Sequence, residues 1–249
     1  MASGPVVLVT GALTGIGRAC AEAFVQQEAR LVLSGRRDEE GKRLVSHLKS
    51  LGGTAEYFRA DVRQEEDVRN LIEFAIDQFG SIDIAVNSAG TEGKYGPVAN
   101  LSTDDFACTF ETNVLGTMLC LKHELSAMIA QRRGSIVNLS STMGHRSGPG
   151  LAMYCASKHA VDGLTRTAAV EAAEFGVRVN AVAPGPTSTG VFKRLAANHK
   201  PRKQSFASVP MKRGAVPSEI ANVILFLASD AASFVTGQVL AVDGGKSAL

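Results

Sequence analysis

Long hydrophobic runs are missing from this sequence, since no stretch reaches the roughly 18 apolar residues that a membrane-spanning helix needs. The first residues lead directly into a short strand-like run and show no signal-peptide pattern. A large excess of one charge is also missing, because 26 basic and 24 acidic residues give a formal net charge of +2. This balance gives no footprint of nucleic-acid binding. We therefore expect a cytoplasmic protein that binds neither a membrane nor a nucleic acid.

Cysteine and histidine are few, and neither is spaced like a set of metal ligands. No CxxC pattern occurs among the four cysteines, which are Cys20, Cys108, Cys120 and Cys155. The five histidines are His47, His123, His145, His159 and His199. We expect no metal, and we interpret the cysteines as free, buried thiols in a reducing compartment.

What the sequence does contain is a regular alternation of apolar strand-like runs with amphipathic helical stretches. The strand-like runs are 5–10, 31–34, 54–58, 82–86, 135–140, 177–183 and 238–242. The helical stretches are roughly 15–28, 38–50, 64–79, 102–131, 153–175 and 217–228. This alternation predicts an α/β fold in which a doubly wound, Rossmann-like sheet of seven parallel strands carries helices on both faces. Because no low-complexity linker interrupts it, we interpret residues 1–249 as a single domain.

One segment, 186–216, breaks the alternation and shows little strand pattern. It contains Pro186, Pro201 and Pro210, together with Gly190 and Gly214. A long irregular segment inside a compact domain is commonly a functional loop. We predict that this segment is a lid over the substrate.

The first strand-like run is followed by a glycine-rich turn, Thr10-Gly-Ala-Leu-Thr-Gly-Ile-Gly17. Glycine lets the backbone make a tight turn and lets a ligand approach it closely. A helix that begins at Gly15 would present free N–H groups and the positive end of its dipole to an anion. The turn therefore predicts a site for the pyrophosphate of a dinucleotide.

The G-x-x-x-G-x-G spacing of this turn is similar to that of the short-chain dehydrogenase/reductase family. Further motifs follow in the order of that family along the whole chain. They are Asn87-Ser-Ala-Gly90, Asn113-Val-Leu-Gly116, Ser141, Tyr154-Cys-Ala-Ser-Lys158, Pro184-Gly185 and Val242-Asp-Gly-Gly245. The resemblance implies an NAD(P)-dependent enzyme that transfers a hydride between nicotinamide and a small secondary alcohol or ketone.

The resemblance also implies which residues contact the cofactor. They are Gly11, Thr14, Gly15, Ile16, Gly17, Ser34, Arg36, Arg37, Asp61, Val62, Asn87, Ala89, Gly90, Tyr154, Lys158, Pro184, Gly185 and Thr187. In the family, the residues corresponding to Asp61 and Val62 contact the adenine edge, although Asp61 is also placed to cap the helix at 64–79. Thr187 corresponds to the contact with the carboxamide or phosphates, and Lys158 to the contact with the nicotinamide ribose.

The end of the second strand bears on the choice between NADP and NAD. Gly35 stands where NAD-preferring relatives carry an acid that binds the ribose 2′-OH. Arg36 offers charge and planar stacking to a 2′-phosphate, and Ser34 offers a hydroxyl. Asp38 would neutralise part of this charge as the N-cap of the next helix. We favour NADP(H), with NAD(H) as the alternative.

Tyr154 and Lys158 are four residues apart in a predicted helix and therefore share one face. An ammonium near a phenol favours the phenolate and lowers its pKa, which makes the pair a sensible proton-transfer unit. The family's serine corresponds to Ser141, whose hydroxyl donates to the substrate oxygen, whereas Ser140 is interpreted as structural. The resemblance assigns Asn113 to a water-mediated proton path behind Lys158. The predicted catalytic residues are Asn113, Ser141, Tyr154 and Lys158.

One motif departs from the family pattern. Ser88 stands where relatives carry a second asparagine, so the sheet-stabilising role of that residue is in question. Asn87 is expected to contact the cofactor ribose through its backbone.

Two other functions stay open at this point. A reductase of carrier-bound 3-oxoacyl substrates would need a basic patch near the site, for which Arg132-Arg133 is the candidate. A dinucleotide-sensing regulator without chemistry would have no use for the serine, tyrosine, lysine and asparagine described above.

The helical stretches 102–131 and 153–175 carry apolar residues on more than one side. A helix that is apolar beyond one stripe needs a second surface to cover it. Small residues in the second stretch would let a partner helix approach closely; they are Ala168, Ala169, Ala172 and Ala173. The resemblance implies that these faces pair across a two-fold axis, and we expect a homotetramer built as a dimer of dimers.

Overall fold

The computed structural model describes residues 4–190, 194 and 206–249, so the predicted lid at 186–216 lies partly outside the described residues. Seven parallel strands form one sheet in the order β3-β2-β1-β4-β5-β6-β7. The strands are β1 (Val6–Thr10), β2 (Arg30–Gly35), β3 (Thr54–Arg59), β4 (Ile84–Asn87), β5 (Gly134–Leu139), β6 (Val177–Pro184) and β7 (Val239–Val242). The predicted fold class is confirmed.

Helices connect the strands and cover both faces of the sheet. They are α1 (Gly15–Val25), α2 (Asp38–Ser50), α3 (Glu65–Phe79), α4 (Thr103–Phe110), α5 (Gly116–Gln131), α6 (Ala152–Ala172) and α7 (Pro217–Ala228). Apolar residues of α1, α2 and α7 pack in one core on the first face. Those of α3, α5 and α6 pack in a second core on the other face.

The sequence explains this two-sided packing. All five residues of β1 are buried, as expected for a parallel strand that is covered on both faces. In α3, the residues that recur with helical spacing are the buried ones, and they are Val68, Leu71, Ile72 and Ala75.

The long helical stretch predicted at 102–131 is divided in the structure. A π-helical turn, Glu111–Leu115, separates α4 from α5. A π turn changes the direction of side chains within a helix and occurs often at functional sites. Here it turns Asn113 into the protein interior, where its side chain is fully buried.

The chain changes direction across the sheet at β1, which pairs with β2 on one side and with β4 on the other. The loops after β1 and β4 therefore leave the sheet in opposite directions, and a crevice opens between them. This crevice lies at the carboxyl edge of the sheet, where the predicted site residues follow their strands.

The cysteines are free thiols, but they are not all buried. Cys20, Cys120 and Cys155 are buried as predicted, whereas Cys108 is exposed. The prediction is wrong for Cys108 because α4 is a short surface helix with Thr109 as its buried residue.

Candidate active site

A cleft of about 1010 Å³ runs along the carboxyl edge of the sheet. It is lined by most of the residues that the sequence predicted. These are Gly11, Thr14, Gly15, Ile16, Ser34, Arg36, Arg37, Asp61, Val62, Ala89, Gly90, Ser141, Tyr154, Lys158, Pro184, Gly185 and Thr187. Among the predicted residues, Gly17, Asn87 and Asn113 do not line it, and each has a different structural reason.

The glycine turn is shaped to leave room beside its backbone. Gly11 has a φ of +64°, and a Cβ on it would lie 2.7 Å from the Cα atom of Ala89. Gly15 also has a positive φ, at +59°. Gly17 lies behind the turn, where a Cβ would be 2.4 Å from the carbonyl oxygen of Gly11. Gly17 therefore permits the close packing of the turn rather than a contact with the cleft.

The helix that follows the turn leaves its first N–H groups available. The side chain of Thr14, at the N-cap of α1, makes no capping hydrogen bond, and no acidic residue stands in the first turn. Uncapped N–H groups at a helix N-terminus and the positive end of the dipole favour an anion. The turn and α1 together fit the pyrophosphate of a dinucleotide.

The end of β2 also presents a polar side chain that fits a ligand. Ser34 is buried and lines the cleft, and its hydroxyl has no hydrogen-bond partner among the described residues. A buried hydroxyl without a partner is uncommon in native proteins. A ribose or phosphate oxygen in the cleft would supply that partner.

The carboxylate that lines this part of the cleft, Asp61, is neutralised by arginines. Arg63 Nη2 lies 2.6 Å from Asp61 Oδ2, and Arg36 Nη1 lies 3.9 Å from the same oxygen. The hydrogen bonds from Arg63 hold the pKa of Asp61 below its usual range. Arg63 itself lines the cleft and is a residue that the sequence analysis missed, although it stands two residues after Asp61.

The two helix caps suggested for acidic residues are not observed. The N-cap of α2 is Arg37, and Asp38 is the first residue of the helix. The N-cap of α3 is Gln64, while Asp61 binds Arg63 instead. Asp38 still lies in the first turn of α2, where it stabilises the positive end of the helix dipole.

Asn87 points away from the cleft into a buried polar network. Its Nδ2 donates to Glu124 Oε2 at 2.8 Å and to Asn138 Oδ1 at 3.0 Å. Asn138 in turn donates to Thr165 Oγ1 at 3.0 Å. Asn87 therefore joins β4, β5, α5 and α6, and it stabilises the sheet, a role that was in question at the next position because Ser88 stands there. The wall of the cleft after β4 is formed instead by Ser88, Ala89, Gly90 and Thr91.

The side chains predicted to transfer protons lie together at the ends of β5 and α6. Ser141 lies close enough to Tyr154 to affect its pKa, and the backbone N–H of Met143 donates to Ser141 Oγ at 3.2 Å. The ammonium of Lys158 lies 5.9 Å from the centroid of the Tyr154 ring. All three side chains line the cleft.

Ser140 faces the opposite way, as predicted for a structural residue. It is buried, and its hydroxyl donates to Asp162 Oδ1 on α6. This bond ties the end of β5 to α6 beneath the cleft.

Burial controls the protonation of the tyrosine and the lysine. It lowers the pKa of Lys158 to about 8, while the nearby carboxylate of Asp162 opposes the change. Burial raises the pKa of Tyr154, and the hydrogen bond from Ser141 opposes that shift. Lys158 was predicted to lower the pKa of Tyr154, and in the structure Ser141 acts in the same direction.

Asn113 supports the wall of the cleft from behind. Its Nδ2 donates to the carbonyl of Thr91 at 2.8 Å and to Ser157 Oγ at 3.0 Å, and its Oδ1 accepts from the N–H of Thr91 at 2.8 Å. A Cβ on Gly90 would lie 3.3 Å from Asn113 Oδ1 and 3.7 Å from Lys158 Nζ. Asn113 and Lys158 therefore approach the same point of the backbone, although Asn113 does not line the cleft.

Other residues that line the cleft come from the loop after β5, the segment after β6 and the C-terminal turn. They include Thr142, Met143, Leu151, Arg194 and Lys246. Arg194 is paired through two nitrogens with the carboxylate of Glu92. Lys246 was not among the predicted site residues, although it directly follows the motif that ends at Gly245.

The part of the chain that the structure describes contains neither a candidate membrane span nor a candidate metal site. No helix there has the length and hydrophobicity needed to cross a membrane. No group of three or more histidine, cysteine or acidic side chains is placed there to hold a metal ion.

Comparison with known proteins gives matches over almost the whole chain. The matching family model is described as enoyl-(acyl carrier protein) reductase and covers residues 11–247. A 2,5-dichloro-2,5-cyclohexadiene-1,4-diol dehydrogenase from Sphingobium indicum is 41% identical over 99% of this chain and 98% of its own length.

Two similar solved structures carry different nicotinamide cofactors. ElxO with NADP bound is 34% identical, with a TM-score of 0.93 over 99% of this chain and 100% of that one. An NAD⁺-bound xylitol dehydrogenase is 35% identical, with a TM-score of 0.93 over 98% of this chain and 99% of that one.

Proposed function

Because this chain belongs to the short-chain dehydrogenase/reductase family, we propose that it uses a nicotinamide dinucleotide to interconvert a secondary alcohol and a ketone. One observation carries the proposal: Ser141, Tyr154 and Lys158 line the same cleft as the glycine turn that fits a pyrophosphate. A regulator that only sensed the dinucleotide would gain nothing from this arrangement.

The cofactor supplies or accepts the hydride when it is bound, and the residues of the chain handle the proton. In ketone reduction, the neutral phenol of Tyr154 donates a proton to the substrate oxygen. The N–H of Met143 occupies an acceptor site of Ser141 Oγ, so the serine hydroxyl is oriented to donate to the same oxygen. Such a donor stabilises negative charge as it develops on that oxygen.

Lys158 acts on the tyrosine through its charge. In the protonated form, its ammonium lies close to the ring of Tyr154 and stabilises the phenolate left after proton transfer. Asn113 holds the backbone of Thr91, and with it the cleft wall beside Lys158. We propose that Tyr154, Ser141 and Lys158 are the catalytic residues and that Asn113 is a positioning residue.

We favour NADP(H) as the cofactor. Arg36 lines the cleft with a side chain that is 62% exposed, and Ser34 lines it with a hydroxyl that has no partner among the described residues. Asp61 does not repel a phosphate, because Arg63 and Arg36 neutralise its carboxylate. A 2′-phosphate would gain contacts here that a 2′-hydroxyl lacks.

A carrier-bound substrate receives no support from the basic pair at 132–133. Arg132 donates to the carbonyl of Glu174, and Arg133 lies 3.1 Å from Asp83. Asp83 directly precedes β4, so the pair lies at the amino edge of the sheet, opposite the cleft. We therefore favour a small, free ketone or alcohol as the substrate.

We also propose a homotetramer, on the basis of two separate apolar surfaces. The first carries Val170, which is 81% exposed, and Phe106, which stacks on Phe110. The second carries Phe226 on α7 and Phe234, which is fully exposed. A dimer of dimers needs two such self-complementary surfaces.

The test is a screen of small ketones and secondary alcohols with each cofactor, followed by the absorbance of the reduced nicotinamide. We expect turnover of at least one ketone, and none in Tyr154→Phe. If cofactor binds with micromolar affinity while no substrate in a broad panel is turned over, the regulator is the better assignment.

A further inference from the structure

The C-terminal turn after β7 is held in place from two sides. The carboxylate of Asp243 accepts hydrogen bonds from the N–H groups of Gly245, Lys246 and Ser247 at 3.0, 3.1 and 2.7 Å. On the other side, the guanidinium of Arg146 donates to the carbonyl of Lys246. The backbone of Lys246 is therefore fixed relative to the loop that follows β5, which also carries Ser141.

Lys246 lines the cleft together with Ser141 and Tyr154. Within the described residues, no carboxylate lies within 4.0 Å of its ammonium. Asp243, the nearest acid in sequence, already accepts from three backbone N–H groups and the Ser247 hydroxyl. Lys246 is thus a half-buried cation at the edge of the active site without a matching anion in that part of the chain.

Residues that the structure does not describe do not supply that anion either. The segment 186–216 contains no aspartate or glutamate in its sequence. Its charged residues are all basic, and they are Lys193, Arg194, Lys200, Arg202, Lys203, Lys212 and Arg213. Of these, Arg194 is neutralised by Glu92 and Arg213 by Glu219.

The surroundings of Lys246 disfavour its charge in the absence of a ligand. Burial lowers the pKa of Lys246, and the positive charge of Arg146 lowers it further, although Asp243 opposes both. An anion bound beside the ammonium would raise the pKa of Lys246 again, because opposite charges attract more strongly in a partly desolvated cleft than in bulk water. A fully exposed lysine would gain little from the same contact.

We propose that Lys246 binds an anionic group, a carboxylate or a phosphate, carried by the ketone or alcohol substrate. The inference rests on the proposed function and narrows its substrate to an oxo acid, a hydroxy acid or a phosphorylated ketone. The positive charge of Arg146, which contacts the backbone of Lys246, favours the approach of such an anion.

The experiment compares anionic ketones with neutral partners of similar shape. One arm uses 3-oxobutanoate, 4-oxopentanoate and 5-oxohexanoate against their methyl esters, which varies the distance between the carbonyl and the charge. A second arm uses dihydroxyacetone phosphate against dihydroxyacetone. The quantity compared is the ratio of kcat/KM for the anionic member to that for the neutral member of each pair.

Three variants test whether this ratio of kcat/KM values depends on the charge of Lys246. We expect the wild type to prefer the anionic member of at least one pair by about tenfold or more, and Lys246→Met to lose that preference through a higher KM. Lys246→Arg keeps the charge and should retain most of the preference. Lys42→Met removes an exposed lysine that pairs with Glu39 on α2, and it should leave the ratio unchanged.

The outcomes separate this inference from the proposed function. Turnover of ketones without preference for either anion, or a preference that survives in Lys246→Met, would overturn the role of Lys246 alone. A wild-type enzyme that turns over no ketone would overturn the proposed function and this inference with it. Preference in the first arm identifies a carboxylate, and preference in the second identifies a phosphate.

Discussion

The ammonium of Lys158 donates a 2.7 Å hydrogen bond to the backbone carbonyl of Leu139. Leu139 is the last residue of β5, and Ser141 follows it after one residue. One bond therefore fixes α6, which carries Tyr154 one turn earlier, against the strand end that carries the serine. The bond between Ser140 and Asp162 fixes the same two elements one turn further along α6. The geometry of the proposed catalytic residues thus depends on two contacts that lie beneath the cleft.

Replacing Tyr154 by phenylalanine should reduce ketone turnover at least a hundredfold, because the only change is the loss of the proton donor. Binding of the cofactor should persist, since the glycine turn and the N-terminus of α1 are untouched. Steady-state kinetics and a cofactor titration by fluorescence measure the two effects separately. Residual activity within tenfold of the wild type would show that another group donates the proton.

Arg36→Ala should weaken the binding of NADPH by about tenfold or more and that of NADH much less, because the arginine is placed to contact a 2′-phosphate. Titration of both cofactors measures the difference. Arg43→Ala, on the exposed side of α2, is the control for the loss of one positive charge. Equal losses of affinity for NADPH and NADH, or a wild type that binds NADH more tightly, would contradict the proposed NADP preference.

Ketone reduction should slow as the pH rises through about 8, where buried Lys158 loses its proton. The sign follows from the mechanism, because the lysine acts as a cation, and it is charged below its pKa. Asp162 raises the pKa of this lysine, so Asp162→Asn should move the fall in kcat/KM to lower pH. The measurement is a pH profile at saturating cofactor, and a flat profile to pH 9.5 would contradict the role assigned to the charge.

Buried Glu124 should make the protein less stable as the pH rises from 4.5 to 7. Burial raises its pKa to about 7, so the folded protein keeps this proton after the unfolded chain has released it. The contribution of Glu124 to the free energy of unfolding is complete below its unfolded pKa of about 4.5. Up to about 3 kcal/mol of this contribution is lost as the pH rises through its folded pKa of about 7.

Glu124→Gln should remove this dependence, since the amide keeps an acceptor for Asn87 and does not ionise. Relative to the wild type, the variant should gain stability between pH 5 and pH 8 in chemical denaturation. Glu171→Gln, at an exposed site of α6, is the control. Parallel pH curves for wild type and Glu124→Gln would show that Glu124 does not titrate in this range.

The proposed tetramer should dissociate when either apolar surface receives a charge. Ala169, which the sequence placed at the helix contact, is buried in the core of its own chain, so a change there would disturb folding. Val170→Arg and Phe234→Arg test the two surfaces instead, because both side chains are exposed. Each variant alone should give dimers by light scattering. A tetramer that persists in either variant would show that the corresponding interface lies elsewhere.

The sequence by itself determined the fold and most of the residues that line the cleft. Alternating apolar runs and amphipathic stretches define a parallel sheet, and the ends of parallel strands meet at one edge, so residues after β1, β2, β4 and β6 had to come together. Gly11 and Gly15 were recognisable for a different reason, because few other residues tolerate their positive φ.

Only the tertiary structure decided which side chains face the cleft and what pairs with them. Asn87 faces Glu124 because the last residue of β4 points to the opposite face from the next one, and its buried partner stands 37 residues later on α5. The position of Lys246 also depends on a distant residue, since Arg146 holds its carbonyl from 100 residues earlier in the chain. Burial shifts the pKa values of Tyr154 and Lys158 through desolvation by the whole fold, which local spacing does not encode.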